Sequence, residues 1–156
     1  MSFGYDLRGC GVIGVSGEGA VNLAMDLPDN VGLDVDSGTA VIRASRTVGG
    51  LVNVASGAAL EFVLEDGSRP SLAARSFSIE SGAEIVVSAD GRVTDIPEAG
   101  ETFKVITGCN YADYAFDGVT CRVAGTLFCS ARILVDEDGD IAVTIKPKKG
   151  FMLTVQ

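Results

Sequence analysis

Ser56-Gly57-Ala58-Ala59-Leu60-Glu61-Phe62-Val63-Leu64 reads as a tight turn running directly into a strand. Glycine enters the left-handed backbone region without a Cβ clash, so the Ser-Gly pair suits the turn. Beyond it Leu60, Phe62 and Leu64 are apolar at alternate positions with Glu61 between the first two. That is the period-two pattern of a strand with one buried face. The same unit recurs as Ser16-Gly17-Glu18-Gly19-Ala20-Val21, Ser37-Gly38-Thr39-Ala40-Val41 and Ser81-Gly82-Ala83-Glu84-Ile85, with starts 19 to 25 residues apart. A turn and a strand repeated at that interval is the signature of one coil of a β-solenoid, in which each apolar residue stacks on its counterpart in the next coil. A β-sandwich is the alternative, because Ser-Gly turns also serve that architecture.

Further alternating runs occur at 31–36, 77–80, 84–88 and 141–145, and most are bounded by turn pairs such as Asp29-Asn30, Asp66-Gly67, Asp90-Gly91 and Asp138-Gly139. Helical periodicity is nearly absent, so the class is all-β; only Tyr111 to Phe116 admits a single helical turn. After Gly108 the Ser-Gly marker stops. Cys121-Arg122-Val123-Ala124-Gly125-Thr126-Leu127-Phe128-Cys129 reads as a hairpin centred on Gly125, and Leu134 to Ile141 carries an Asp-Gly turn between apolar flanks. A stack of coils cannot end on bare apolar surface and unpaired edge groups. The expectation is therefore one domain, with coils over 1–108 and an antiparallel hairpin cap over 109–156. The parallel edge at Gly11 to Val15 reads as uncapped, which suggests truncation and edge-mediated pairing with a second copy.

Composition removes several classes of function. The 156 residues, 47% hydrophobic and 21% charged, are enough for a folded domain without disulfide or metal. Uncharged stretches such as Thr47 to Leu60 fall short of the ~20 residues a membrane helix needs, so membrane insertion is not expected. A net charge of −9 repels phosphate backbones and argues against a nucleic-acid partner. The chain has no His, which eliminates the commonest general base and every Ser/His/Asp or Cys/His arrangement. No enzymatic activity and no cofactor are expected. Met1 to Arg8 lacks the basic and apolar regions of a secretory signal, leaving a cytoplasmic protein or a piece of a mature exported one.

The stretch from Gly50 through Ser56-Gly57-Ala58 and Ser81-Gly82-Ala83 to Ala99-Gly100-Glu101-Thr102-Phe103-Lys104-Val105-Ile106-Thr107-Gly108 resembles the repeats near the carboxyl end of autotransporter-type passenger domains and related bacterial surface proteins. The resemblance extends more faintly to Asp136 through Pro147 and is only rhythmic before Gly50. It implies a right-handed parallel β-helix on a secreted or surface-displayed bacterial protein, with an adhesive or scaffold role and a glycan or a host or cell-surface protein as partner. It carries over no catalytic residue. The four cysteines depart from that pattern, since such passengers usually have few or none.

A few residues are candidates for chemistry. Cys121 and Cys129 share the parity of Val123 and Leu127, and symmetry about Gly125 allows a cross-strand disulfide; two buried free thiols are the equal alternative. Cys10 and Cys109 have no partner by spacing, and the absence of a CxxC argues against zinc. Asp136, Asp138 and Asp140 alternate around a turn and offer oxygen ligands for calcium, without matching the EF-hand or nonapeptide calcium patterns, so a plain Asp-Gly turn is the simpler reading. Asp34 and Asp36 alternate along one strand as a candidate acidic face for glycan or calcium binding. Asp95 joins them in a carbohydrate-active alternative. Gly9-Cys10-Gly11-Val12-Ile13-Gly14 lacks the strand-to-helix context of a phosphate cradle. Lys146-Pro147-Lys148-Lys149 reads as a charged loop that blunts a sheet edge. An intracellular β-sandwich with reduced thiols and a protein partner is the remaining alternative.

Overall fold

A computed structural model describes residues 11–108, 110–111 and 116–149, and the backbone of 6–8. Cys10, Cys109 and most of the expected helical turn at 111–116 lie outside the described residues. The described chain is all-β. Its strands are β1 (Asp6–Arg8), β2 (Val12–Val15), β3 (Ala20–Asn22), β4 (Gly32–Val35), β5 (Thr39–Ile42), β6 (Arg46–Val54), β7 (Ala59–Val63), β8 (Leu72–Ile79), β9 (Glu84–Ala89), β10 (Glu101–Thr107), β11 (Thr120–Gly125), β12 (Cys129–Val135) and β13 (Ile141–Pro147).

They form two sheets. One has eight strands in the order β1-β2-β4-β6-β8-β10-β13-β12, and the other has five in the order β11-β9-β7-β5-β3. From β2 to β11 every successive strand changes sheet, so each sheet grows by one strand per repeat. The five-stranded sheet is parallel throughout. The eight-stranded sheet is parallel from β2 to β10 and ends in antiparallel pairings, β1 on β2 at one side and β13 on β10, then β12 on β13, at the other. β1 thus lies along the Gly11 to Val15 edge that the sequence left open, and the expected bare parallel edge is not what the fold presents there.

Register explains the alternating sequence. In the five-stranded sheet Val21, Ala40, Leu60, Ile85 and Cys121 pair in one row, and Ile42, Phe62, Val87 and Val123 in another. In the larger sheet the rows are Ile13, Leu33, Val52, Phe77 and Val15, Val35, Val54, Ile79. These rows meet in one hydrophobic cluster. Phe62, Leu33, Ile42, Leu60 and Ile85 are among its largest wholly buried side chains.

The turns stack as well. Gly57 N–H donates to the Gly82 carbonyl (3.0 Å) and Gly82 N–H to the Gly118 carbonyl (2.8 Å). All three glycines have positive φ. Gly118 belongs to Asp117-Gly118, a further member of the series that the Ser-Gly marker does not pick out.

At the carboxyl side the Leu134–Ile141 hairpin is present, β12 and β13 pairing from Val135↔Ile141 to Cys129↔Pro147. The hairpin expected about Gly125 is not. β11 runs parallel to β9 in the five-stranded sheet, and β12 belongs to the other sheet, so Gly125 (φ 68°) is a corner between sheets. A short apolar alternation on either side of a glycine fits a corner as well as a hairpin, and pairing with β9 decides between them.

Candidate functional site

The outer face of the eight-stranded sheet carries an open groove of about 380 Å³ over β2, β4 and β6. Its floor is backbone. At Gly32 an added Cβ would sit 2.6 Å from the Leu51 carbonyl oxygen, and at Gly50 one would sit 2.8 Å from the Gly32 nitrogen. The close approach comes from β6, whose pairing with β8 slips between Val48 and Leu51 at the Gly49-Gly50 step. Leu51, alternating with buried Val52, is 48% exposed beside the bare Gly32 backbone.

Polar side chains edge this floor. Asp34 points outward between Leu33 and Val35, which are fully buried. It accepts a hydrogen bond from Asn53 Nδ2 at 2.9 Å. Asp34, Asn53 and Ser78 are register partners on β4, β6 and β8 and form a polar row across three strands. Asn30, at φ 66°, closes the turn before β4. Asparagine tolerates that conformation better than most residues. Its Oδ1 accepts from Arg75 Nη1 at 3.2 Å. Among the described residues lining the groove, Asp34 is the one titratable side chain. The arrangement offers hydrogen bonding and an aliphatic contact, without a facing pair of carboxylates for acid and base roles.

The other sequence candidates fall elsewhere. Asp36 lies just past the end of β4, its N–H bonded to the Val15 carbonyl (2.9 Å), and it is not among the residues lining the groove. Asp95 is engaged by Arg69 Nη2 at 2.8 Å and by the Gly67 N–H at 2.6 Å. The guanidinium of Arg69, then the Gly67 amide, hold its carboxyl down to about 2. It staples the 65–69 turn to the 92–96 loop and stands apart from the groove.

Asp136, Asp138 and Asp140 do converge, their carboxylate oxygens lying within 4.8 Å of one another. A cation of the chain's own serves them: Lys104 Nζ, from β10, is 2.7 Å from Asp138, 2.7 Å from Asp140 and 3.6 Å from Asp136. Hydrogen bonds to Asp138 and Asp140 raise the Lys104 ammonium pKa well above its ordinary value. Asp136 also turns inward on its own hairpin, accepting from the Asp138 N–H (2.9 Å) and the Asp140 N–H (3.0 Å). The calcium candidate is thus an ion-paired turn that anchors the β12–β13 hairpin to β10.

Cys121 and Cys129 are both free thiols, on β11 and β12 of different sheets. Burial pushes the Cys121 thiol up to about 11, and burial followed by Glu101 raises that of Cys129. Both are poor nucleophiles at neutral pH. The Lys146–Lys149 cluster leaves β13, and Lys148 Nζ lies 5.7 Å from the Phe128 ring centroid.

Of the groove, sequence reading found Asp34 and missed Asn30, Leu51 and Asn53. A signal existed. Asp34, Asn53 and Ser78 each stand three positions before a Ser-Gly pair, so aligning the strands upstream of the turns, and not only those downstream, puts them in one row. No family model, curated protein or solved structure matches the chain.

Proposed function

We propose that the chain is a noncatalytic β-solenoid module, structural or adhesive, of a larger secreted or surface-exposed bacterial protein, and that it binds through the outer face of its eight-stranded sheet. The observation that carries the reading is the alternation of β2 to β11 between two sheets of parallel strands, with side chains and turns stacked row on row. Crossovers between parallel strands are overwhelmingly right-handed, so the coil proposed is a right-handed one. Such a repeat buries its functional capacity in shape and offers long faces for recognition. The likeness of 50–108 to passenger-domain repeats points the same way. The groove beside Asp34 is the binding feature of that face, and its single carboxylate supports recognition without turnover.

The test applies the full chain to bead-bound cell-wall polysaccharides and to wells coated with extracellular-matrix protein. Saturable adsorption that Asn53→Ala and Leu51→Ser weaken, with no release of reducing ends, is the expected result. Absence of saturable adsorption overturns the binding role, and release of new reducing ends overturns the noncatalytic one.

A further inference from the structure

We infer that the groove beside Asp34 takes a neutral glycan lying across the strands. The inference rests on the binding-face reading and names its ligand. Asp34 and Asn53, in the groove, and Ser78, which continues their row on β8 beyond the groove's lining, are register partners on adjacent parallel strands. Their side chains therefore recur at the strand spacing of ~4.8 Å. One sugar ring of an extended chain has a comparable length, so successive rings meet successive polar rungs.

The groove also supplies two kinds of contact that a sugar ring uses together. Leu51, half exposed beside the Gly32 backbone, is an aliphatic surface for the C–H face of a ring. Asp34 accepts from hydroxyls on the ring's rim, while the Asn53 amide both donates and accepts.

Charge and topology exclude the competitors. Asp34 is the groove's titratable group among the described lining residues, and the chain carries −9 overall. Uronates, sialylated sugars and phosphates are repelled. Arg75, at the rim, directs Nη1 to Asn30. A peptide strand docks by pairing with a free sheet edge. β4, β6 and β8 are interior strands, paired on both sides.

The experiment is a printed array of neutral, N-acetylated and acidic oligosaccharides probed with the fluorescently labelled full chain, with and without calcium. The best neutral hexasaccharide is then titrated against the parent chain, Asn53→Ala and Leu51→Ser, each checked for an unchanged circular dichroism spectrum and melting temperature. Neutral oligosaccharides are expected to bind, and each variant to weaken the dissociation constant at least tenfold. Binding of acidic glycans alone, with or without calcium, overturns the inference, as does neutral binding that neither variant alters. A blank array with surface adsorption still lost in the two variants overturns the glycan and leaves the binding face standing. A blank array with adsorption indifferent to the variants overturns both.

Discussion

The groove beside Asp34 and the turn at Asp136, Asp138 and Asp140 both gather oxygen-bearing side chains on the eight-stranded sheet, and they end in opposite states. At the turn, Lys104 reaches across from β10 and satisfies three carboxylates. In the groove, Asp34 receives one amide hydrogen bond from Asn53 and keeps its remaining lone pairs toward open space. A carboxylate has about four acceptor positions. The difference teaches that convergence of acidic residues is not what marks a recognition site. Unspent hydrogen-bonding capacity beside a shaped surface is.

The comparison can be pressed experimentally. The largest effect is expected from Phe62→Ala, which opens the core that the two sheets share and should cost about 3–5 kcal/mol, read as a drop in denaturation midpoint. An unchanged midpoint would mean that the two sheets do not share one core. Gly32→Ala comes next. Its methyl group would meet the Leu51 carbonyl, a backbone atom, and the strain should cost roughly 1–3 kcal/mol while the groove floor fills. Retained stability together with retained adsorption would show that the floor is not as tight as described.

Lys104→Gln should convert the turn into the kind of site it resembles. With the ammonium gone, three carboxylates repel one another, and calcium should raise the melting temperature of the variant while leaving the parent unchanged. Equal calcium response in both chains would contradict the assignment of Lys104 as the cation these residues hold.

The smallest effect concerns acid. The folded Asp95 carboxyl lies at about 2, below its unfolded value near 3.9. Its contribution is therefore present above pH 4 and is lost as pH falls from about 4 to 2. Asp138 is lowered too, chiefly by its hydrogen bond with Lys104, and acts in the same direction. Asp95→Asn should flatten the acid limb of the stability profile slightly, by lowering stability a little at neutral pH and leaving it unchanged near pH 2. A limb as steep as the parent's would remove Asp95 from the account.

The all-β class and the placement of the repeated strands were legible because Leu60, Phe62, Ile85 and Val87 advertise their inward rows by simple alternation. The β12–β13 hairpin was legible because Asp138-Gly139 fits a tight turn between apolar flanks. What stayed hidden depended on partners distant in the chain. Gly125 looks the same locally whether Cys121 and Cys129 face each other or lie on separate sheets, and only the β9 pairing distinguishes the cases. The groove needed the close approach of β4 and β6 backbones at Gly32 and Gly50; alternation with buried Val52 and Val54 does turn Leu51 outward, but alternation counted along one strand cannot register an approach between two. Lys104 lies more than thirty residues from the carboxylates it serves, so the acidic turn read as an open ligand set until β10 was placed beside the hairpin.

The stacked turn glycines have a consequence for how such a chain changes length. Gly57 donates to Gly82 as Gly82 donates to Gly118, so each turn presents the preceding one with the same backbone acceptor. The stretch from one such turn to the next is then an interchangeable part. Excising 57–81 would put the Gly82 turn where the Gly57 turn now lies beside Gly38, with Glu84 in the place of Ala59, whose N–H donates to the Gly38 carbonyl, and duplicating the stretch would insert a unit without a new junction. Insertions and deletions of whole units should be tolerated where the loss of a few residues within one is not.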